Sequence, residues 1–255
     1  MRLGLLLALL SGVAPAVRGA AACNPDELQG AYGFLLTGDA TISGSPKPAA
    51  SLGSLVFDGS GHVSGTSSVK YAGVLLGNSV TGTYTAGTDC AVSWSLQDDS
   101  GGYQHFSGTA TPHERRVDFR QTDPGGAKAG VLVRTAGQAC EVSDLRAKYD
   151  FTMSGTMTPV TQGGPSGAVS IKGVMAEDSH HNFQLALEGK QAFSTQPDMS
   201  VDSDCTVHLS FALPAEGDQA AGTVNLRGML VGGGKQILAI QTDPGAVVSA
   251  KFTAR

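Results

Sequence analysis

The chain repeats itself, and that repetition limits what it can fold into more than anything else in it. Gln-Thr-Asp-Pro-Gly stands at 121–125 and returns at 241–245. Around it lie paired landmarks in the same order: Cys23/Cys140, Leu28/Leu145, Tyr32/Tyr149, Phe34/Phe151, Gly38/Gly155 and Cys90/Cys205. The offset between partners stays within 115 to 121 residues, so insertions are few and belong in loops. The units run over 23–137 and 140–255, joined at 135–139, and each is expected to fold as a separable domain.

Within each unit the apolar residues recur at every second position. Cys90, Val92, Trp94 and Leu96 alternate with Ala91, Ser93 and Ser95, and Cys205, Val207, Leu209 and Phe211 alternate with Thr206, His208 and Ser210. That is the period of a strand with one buried face. Turn signals interrupt the alternation at 57–62, 76–79, 98–102 and 122–126, where Asp-Gly, Gly-Asn and Asp-Pro-Gly favour hairpins. The spacing predicts about eight short strands in unit one, near 30–38, 51–58, 62–71, 79–86, 90–98, 102–110, 115–122 and 127–135. The expected fold is all-β: two tandem homologous up-and-down antiparallel β-barrels of about eight strands each, with β-sandwiches as the alternative. Helix is expected only as short turns near 26–29 and 143–147.

Residues 1–22 read as a secretory signal peptide, with Arg2, an apolar run at 5–10 and small residues at 20–22. Its rival is a lipoprotein anchor on Cys23. Beyond Cys23 no apolar run is long enough for a transmembrane helix. Loss of Arg2 and Arg18 would move the formal charge from −5 to −7, and no basic cluster remains, which argues against nucleic acid as a partner. An outer-membrane barrel is disfavoured because only 6% of residues are aromatic. Four cysteines allow three pairings. The repeat selects Cys23–Cys90 and Cys140–Cys205, with four free thiols as the other possibility. Disulfides belong to an oxidising compartment, secreted or periplasmic.

The order Tyr32-x-Phe34 to Gly38, then 57–61, then 82–90, then 122–125 resembles a group of uncharacterised secreted bacterial β-rich proteins. At fold level alone the units resemble calycin or lipocalin barrels. The resemblance to the secreted group brings no activity with it.

Chemistry-bearing groups are few. His180 and His181 lie near a turn, where strand neighbours point apart. His208 sits on the polar face. His105, His113 and Glu114 flank a hairpin with no counterpart in unit two. Ser67 and Lys70 match Ser-x-x-Lys, but a strand puts them on opposite faces. Asp123 and Asp243 read as turn residues. No catalytic residues, metal ligands or cofactor are assigned. The first functional reading is a non-catalytic binding or structural protein that contacts an envelope or extracellular protein or glycan through its exposed sheet surface or its strand-end loops, with loops 39–51 and 156–168 as the first candidates for contact regions. The alternative is a carrier or sensor of a small apolar ligand inside the barrel, at Val92, Trp94 and Leu96 in unit one and Val207, Leu209 and Phe211 in unit two. A barrel-interior cyclase- or isomerase-like enzyme comes third.

Overall fold

The computed structural model describes residues 23–71, 73–111, 115–135, 137, 139–158, 160, 166–188, 193–213 and 222–255. The expected signal segment, 1–22, and His113 and Glu114 lie outside them. Unit one forms β1 (Gly30–Ile42), β2 (Ser45–Phe57), β3 (His62–Tyr71), β4 (Val74–Ala86), β5 (Ala91–Asp98), β6 (Tyr103–Thr111), β7 (Arg116–Gln121) and β8 (Gly126–Arg134). These strands make a closed up-and-down antiparallel barrel in which β8 pairs back onto β1.

Unit two forms β9 (Lys148–Met157), β10 (Gly167–Glu177), β11 (Phe183–Leu187), β12 (Phe193–Thr195), β13 (Asp198–Val201), β14 (Thr206–Leu213), β15 (Gly222–Val231), β16 (Gln236–Gln241) and β17 (Ala246–Ala254). The expectation of a second closed barrel needs correction. These strands make an open nine-stranded sheet, a half-barrel, with β12 and β13 at its two edges.

The difference lies in one strand. In unit one, Val80 to Thr83 of β4 pair with β3 on one side and with β5 on the other. In unit two the corresponding stretch is split: β12 pairs only with β11, and β13 only with β14. The register Tyr84↔Trp94 matches Met199↔Leu209, so Gly82 corresponds to Pro197. A Cβ on Gly82 would lie 1.7 Å from the carbonyl oxygen of Ser95, so the close approach of β5 there suits glycine. Proline brings a Cβ and a ring and lacks the ladder N–H, so the double pairing fails and the sheet opens.

The segment 39–51, expected as a loop, is also corrected. It is the far end of the β1–β2 hairpin, turned at Ser43 and Gly44, both with positive φ. Pro46 and Pro48 are tolerated because β3 reaches β2 only from Ala49 onward, which leaves their other side free. Of the second expected loop, Pro159 and 161–165 lie outside the described residues.

The repeated pentapeptide is a clamp. The carboxylate of Asp123 accepts from the His105 backbone N–H at 2.8 Å, contacts His105 Nδ1 at 2.7 Å and accepts from Gln121 Nε2 at 2.9 Å. Asp243 likewise accepts from the Asn225 backbone N–H at 2.9 Å, from Asn225 Nδ2 at 2.6 Å and from Gln241 Nε2 at 2.9 Å. His105 therefore does have a counterpart in unit two, Asn225, a different side chain doing the same tying. Disulfides Cys23–Cys90 and Cys140–Cys205 fasten the entry of each unit to the turn before β5 and β14. They close separations of 67 and 65 residues, for which the chain-entropy account gives about 4 kcal/mol each. The entry residue also donates its backbone N–H across the same gap, Cys23 to Thr88 and Cys140 to Ser203, both at 3.1 Å.

The two sheets share a face. Outward residues of the barrel wall, among them Ala50, Leu52 and Val133, join the apolar core of unit two. At Gly33 the approach is so close that a Cβ would stand 2.6 Å from Val231. Strand β16 is buried on both faces from Ile237 to Gln241. Polar links border the apolar area. Lys70 Nζ donates to the carbonyls of Thr242 at 2.8 Å and Asp243 at 2.7 Å, and Arg227 donates to Ser68 Oγ at 3.1 Å. Residues 140–255 expressed alone would expose this face. That fragment is expected to bind hydrophobic dye and self-associate on size exclusion, against the sequence expectation of a freely separable domain.

The tight turns carry a pH signature. In β2–β3, Asp58 accepts from the Ser60 hydroxyl and from the backbone N–H groups of Ser60 and His62, which hold its carboxyl at about 2, below the ordinary 3.8. Asp178 sits lower than usual for the same reason, with the N–H groups of Asn182 and His180. There His181 takes the positive φ that Gly61 supplies in unit one. A folded pKa below the unfolded one contributes stability above the unfolded value that is lost as pH falls through the folded one. Urea midpoints should therefore hold down to about pH 4 and fall towards pH 2, with a shallower fall in Asp58→Asn.

Candidate functional site

The barrel of unit one is stoppered at one end and open at the other. At the closed end the 3-10 turn Pro25–Leu28 lies across the strands, with Leu28 buried in the barrel core. Tyr32 Oη donates to the Glu27 carbonyl at 3.3 Å, and burial raises the tyrosine's pKa. Above this floor Phe57 meets Tyr32, Tyr84 and Trp94 edge-on. Trp94 stacks on Phe106, with centroids 5.4 Å apart, and tilts against Phe119 at 4.9 Å.

Beyond Trp94 the interior is hollow. A cavity of about 270 Å3 runs to the end formed by the β3–β4 and β5–β6 turns. Phe34, Leu36, Val80, Trp94, Leu96, Phe106 and Phe119 make its apolar wall, while Ser51, Ser67, Asn78 and Gln104 add polar groups. Asp98 stands at the rim, but its carboxylate serves its own turn, accepting from Ser100 Oγ at 2.6 Å and from the backbone N–H groups of Ser100 and Gly102 at 2.9 Å. The Ser100 hydroxyl holds that carboxyl below its usual range. Val74, Leu75, Leu76 and Tyr103 leave 36% or more of their surface exposed at this end, an apolar lip around a partly polar opening.

Register explains why one unit is hollow. Ser51 faces Leu36 as Ile171 faces Met153, and Ser67 faces Gly53 as Leu187 faces Gly173. Gly65 likewise corresponds to Leu185, which is fully buried. Small or polar residues thus line the first barrel where branched apolar side chains stand in the second. The interior of unit two is filled, with Phe151 stacked on Phe252 at 5.2 Å and Met153, Met175, Leu185 and Phe211 buried around them.

Of the expected ligand residues, Trp94 and Leu96 line the cavity. Val92 lies below it, beside the disulfide at the floor. Val207, Leu209 and Phe211 are core residues of unit two. Ser67 and Lys70 point to opposite faces of β3, one to the cavity and one to the shared sheet face. His208 contacts Asp202 at 3.2 Å and His181 contacts Glu177 at 2.6 Å, both exposed. Ser51, Ser67, Asn78 and Gln104 were missed in sequence. The available signal was that two of these four, Ser51 and Ser67, face inward where the other repeat has apolar residues.

No family model matches the chain, and no curated protein does. Among solved structures it is similar to a protein of unknown function from the DUF3598 family of Nostoc punctiforme, at 8% identity over 89% of this chain and 95% of that one. The TM-score is 0.21. The barrel fold is compatible with a non-catalytic binding protein, and two disulfides fit an oxidising, extracytoplasmic environment. No helix among the described residues is long and apolar enough to cross a membrane.

Ser67 and Ser68 are neighbours on opposite faces and separate the hollow side from the filled one. Ser67→Leu extends into empty space and is expected to hold or raise stability by about 0.5–2 kcal/mol. Ser68→Leu crowds the sheet–sheet face beside Arg227 and should cost about 1–3 kcal/mol. Urea denaturation followed by Trp94 emission measures both.

Proposed function

We propose that this chain is a secreted or periplasmic, non-catalytic carrier or sensor of a small, largely apolar molecule held in the barrel of unit one. The carrying observation is the cavity of about 270 Å3 at Trp94, hollow because Ser51, Gly65 and Ser67 replace the Ile171, Leu185 and Leu187 of the other repeat. Closure of the barrel supports the reading, since a closed sheet has no edge to collapse across its lumen. By the measure that about 150 Å3 takes one benzene, the space suits a molecule of roughly ten to fifteen non-hydrogen atoms. The apolar lip gives such a molecule a path from water to the interior.

In this reading 23–137 is the binding domain and 140–255 its support, bracing the outer wall of β1, β2 and β8. Loop-mediated contact with a protein or glycan ranks lower, because 39–51 is a regular hairpin. An enzymatic role ranks lowest: among the described residues that line the cavity the one carboxylate, Asp98, is held by its own turn.

Native mass spectrometry of the folded chain is expected to show a bound small molecule, or stabilisation by added naphthalene of about 2–3 kcal/mol at a hundredfold excess over Kd. Ser67→Leu should lose both effects. A ligand that persists in that variant would place binding outside the cavity, and the carrier reading would fail.

A further inference from the structure

Lys128 has no evident structural task. It lies on β8, where Ala127 and Ala129 are exposed and Lys128 is 93% buried, so alternation puts it on the inner face of the barrel. Two residues on, Gly130 sits directly between Leu36 and Phe119, and both of these line the cavity. One inner-face step is about 7 Å, much of which a lysine's four-carbon stem can span, and Gly130 puts no side chain in the way. Register pairs Leu132 with Phe34 as Phe252 pairs with Phe151, so Lys128 corresponds to Val248, fully buried in unit two. The hollow barrel thus has an amine where the filled one has an apolar side chain.

That amine is unpaired. Among the described residues no hydrogen bond reaches Lys128 Nζ, and Asp123, the acid that acts on it, is already bound to His105 and Gln121. Burial pushes its pKa down. An ammonium enclosed to this degree and without a hydrogen-bonding partner gains from an acceptor placed beside it.

We infer that the molecule carried in the first barrel is an amphipathic carboxylic acid, its apolar body against Trp94, Phe106 and Phe119 and its carboxylate on Lys128. This rests on the carrier reading and adds the chemical class of the ligand. A carboxylate supplies the missing acceptor and forms a charge-assisted hydrogen bond, so an acid should be preferred over a neutral analogue of the same shape.

Isothermal titration of the full chain tests this with decanoate and 2-naphthoate, each against its neutral alcohol, decanol and 2-naphthalenemethanol. The wild type should bind at least one acid about tenfold or more tighter than its alcohol. Lys128→Met should erase that preference while leaving alcohol binding in place. The variant should also melt no lower than the wild type, because it removes an ammonium that makes no hydrogen bond within the protein, whereas loss of a structural contact would lower its melting temperature. Equal binding of acid and alcohol by the wild type, a preference that survives Lys128→Met, or a destabilised variant would overturn the assignment of the acid to Lys128 and leave the cavity reading standing. If none of the four probes binds, the carrier reading fails as well.

Discussion

At Val80 to Thr83 one stretch of backbone hydrogen-bonds to neighbours on both sides at once, and the first barrel depends on it. A barrel closes only if every strand does this, and at Gly82 of β4 the neighbouring strand comes so close that no room remains for a side chain. Closure in turn creates a lumen whose walls cannot slide together. The cavity, its floor at Leu28 and its lip at Val74 to Leu76 all follow from that geometry. Where Pro197 takes the place of Gly82, the same repeat becomes an open sheet with a filled interior.

An open sheet has two edges, and edges invite mispairing. Unit two limits them. Its edge strands are short, β12 with three residues and β13 with four, and Pro197 sits between them without an N–H to offer. An apolar outer face over β15 to β17 lies against the wall of the closed barrel. The two copies have thus diverged into complementary parts. One is hollow and closed. The other is filled, and braces it through apolar packing and through Lys70, whose ammonium holds the second Asp-Pro-Gly turn by its carbonyl oxygens.

Much of the fold was legible in the residues because it depends on local chemistry. Period-two alternation gives strands. Asp58, Asp178, Asp123 and Asp243 give turns because a carboxylate can gather nearby N–H groups. The matched contexts of Cys23/Cys140 and Cys90/Cys205 give the pairing that the structure shows. The misreadings came where local signals conflict with position in the sheet. Pro46 and Pro48 read as loop, yet they lie on a strand segment whose outer side has no neighbour. His105 read as unmatched because its partner in the other repeat is Asn225, a different residue type that satisfies the same aspartate.

By itself the sequence determined that the chain is a duplicated, disulfide-tied, antiparallel all-β protein, since repeat, alternation and turn chemistry act over a few residues. Only the tertiary structure decided that one copy closes and the other opens, that β16 is buried on both faces, and that Ser51, Ser67 and Lys128 lie on the inner side of the barrel. Those outcomes depend on which strands become neighbours and how sharply they bend. A glycine, a serine or a lysine carries no mark of that until register brings it opposite a particular partner.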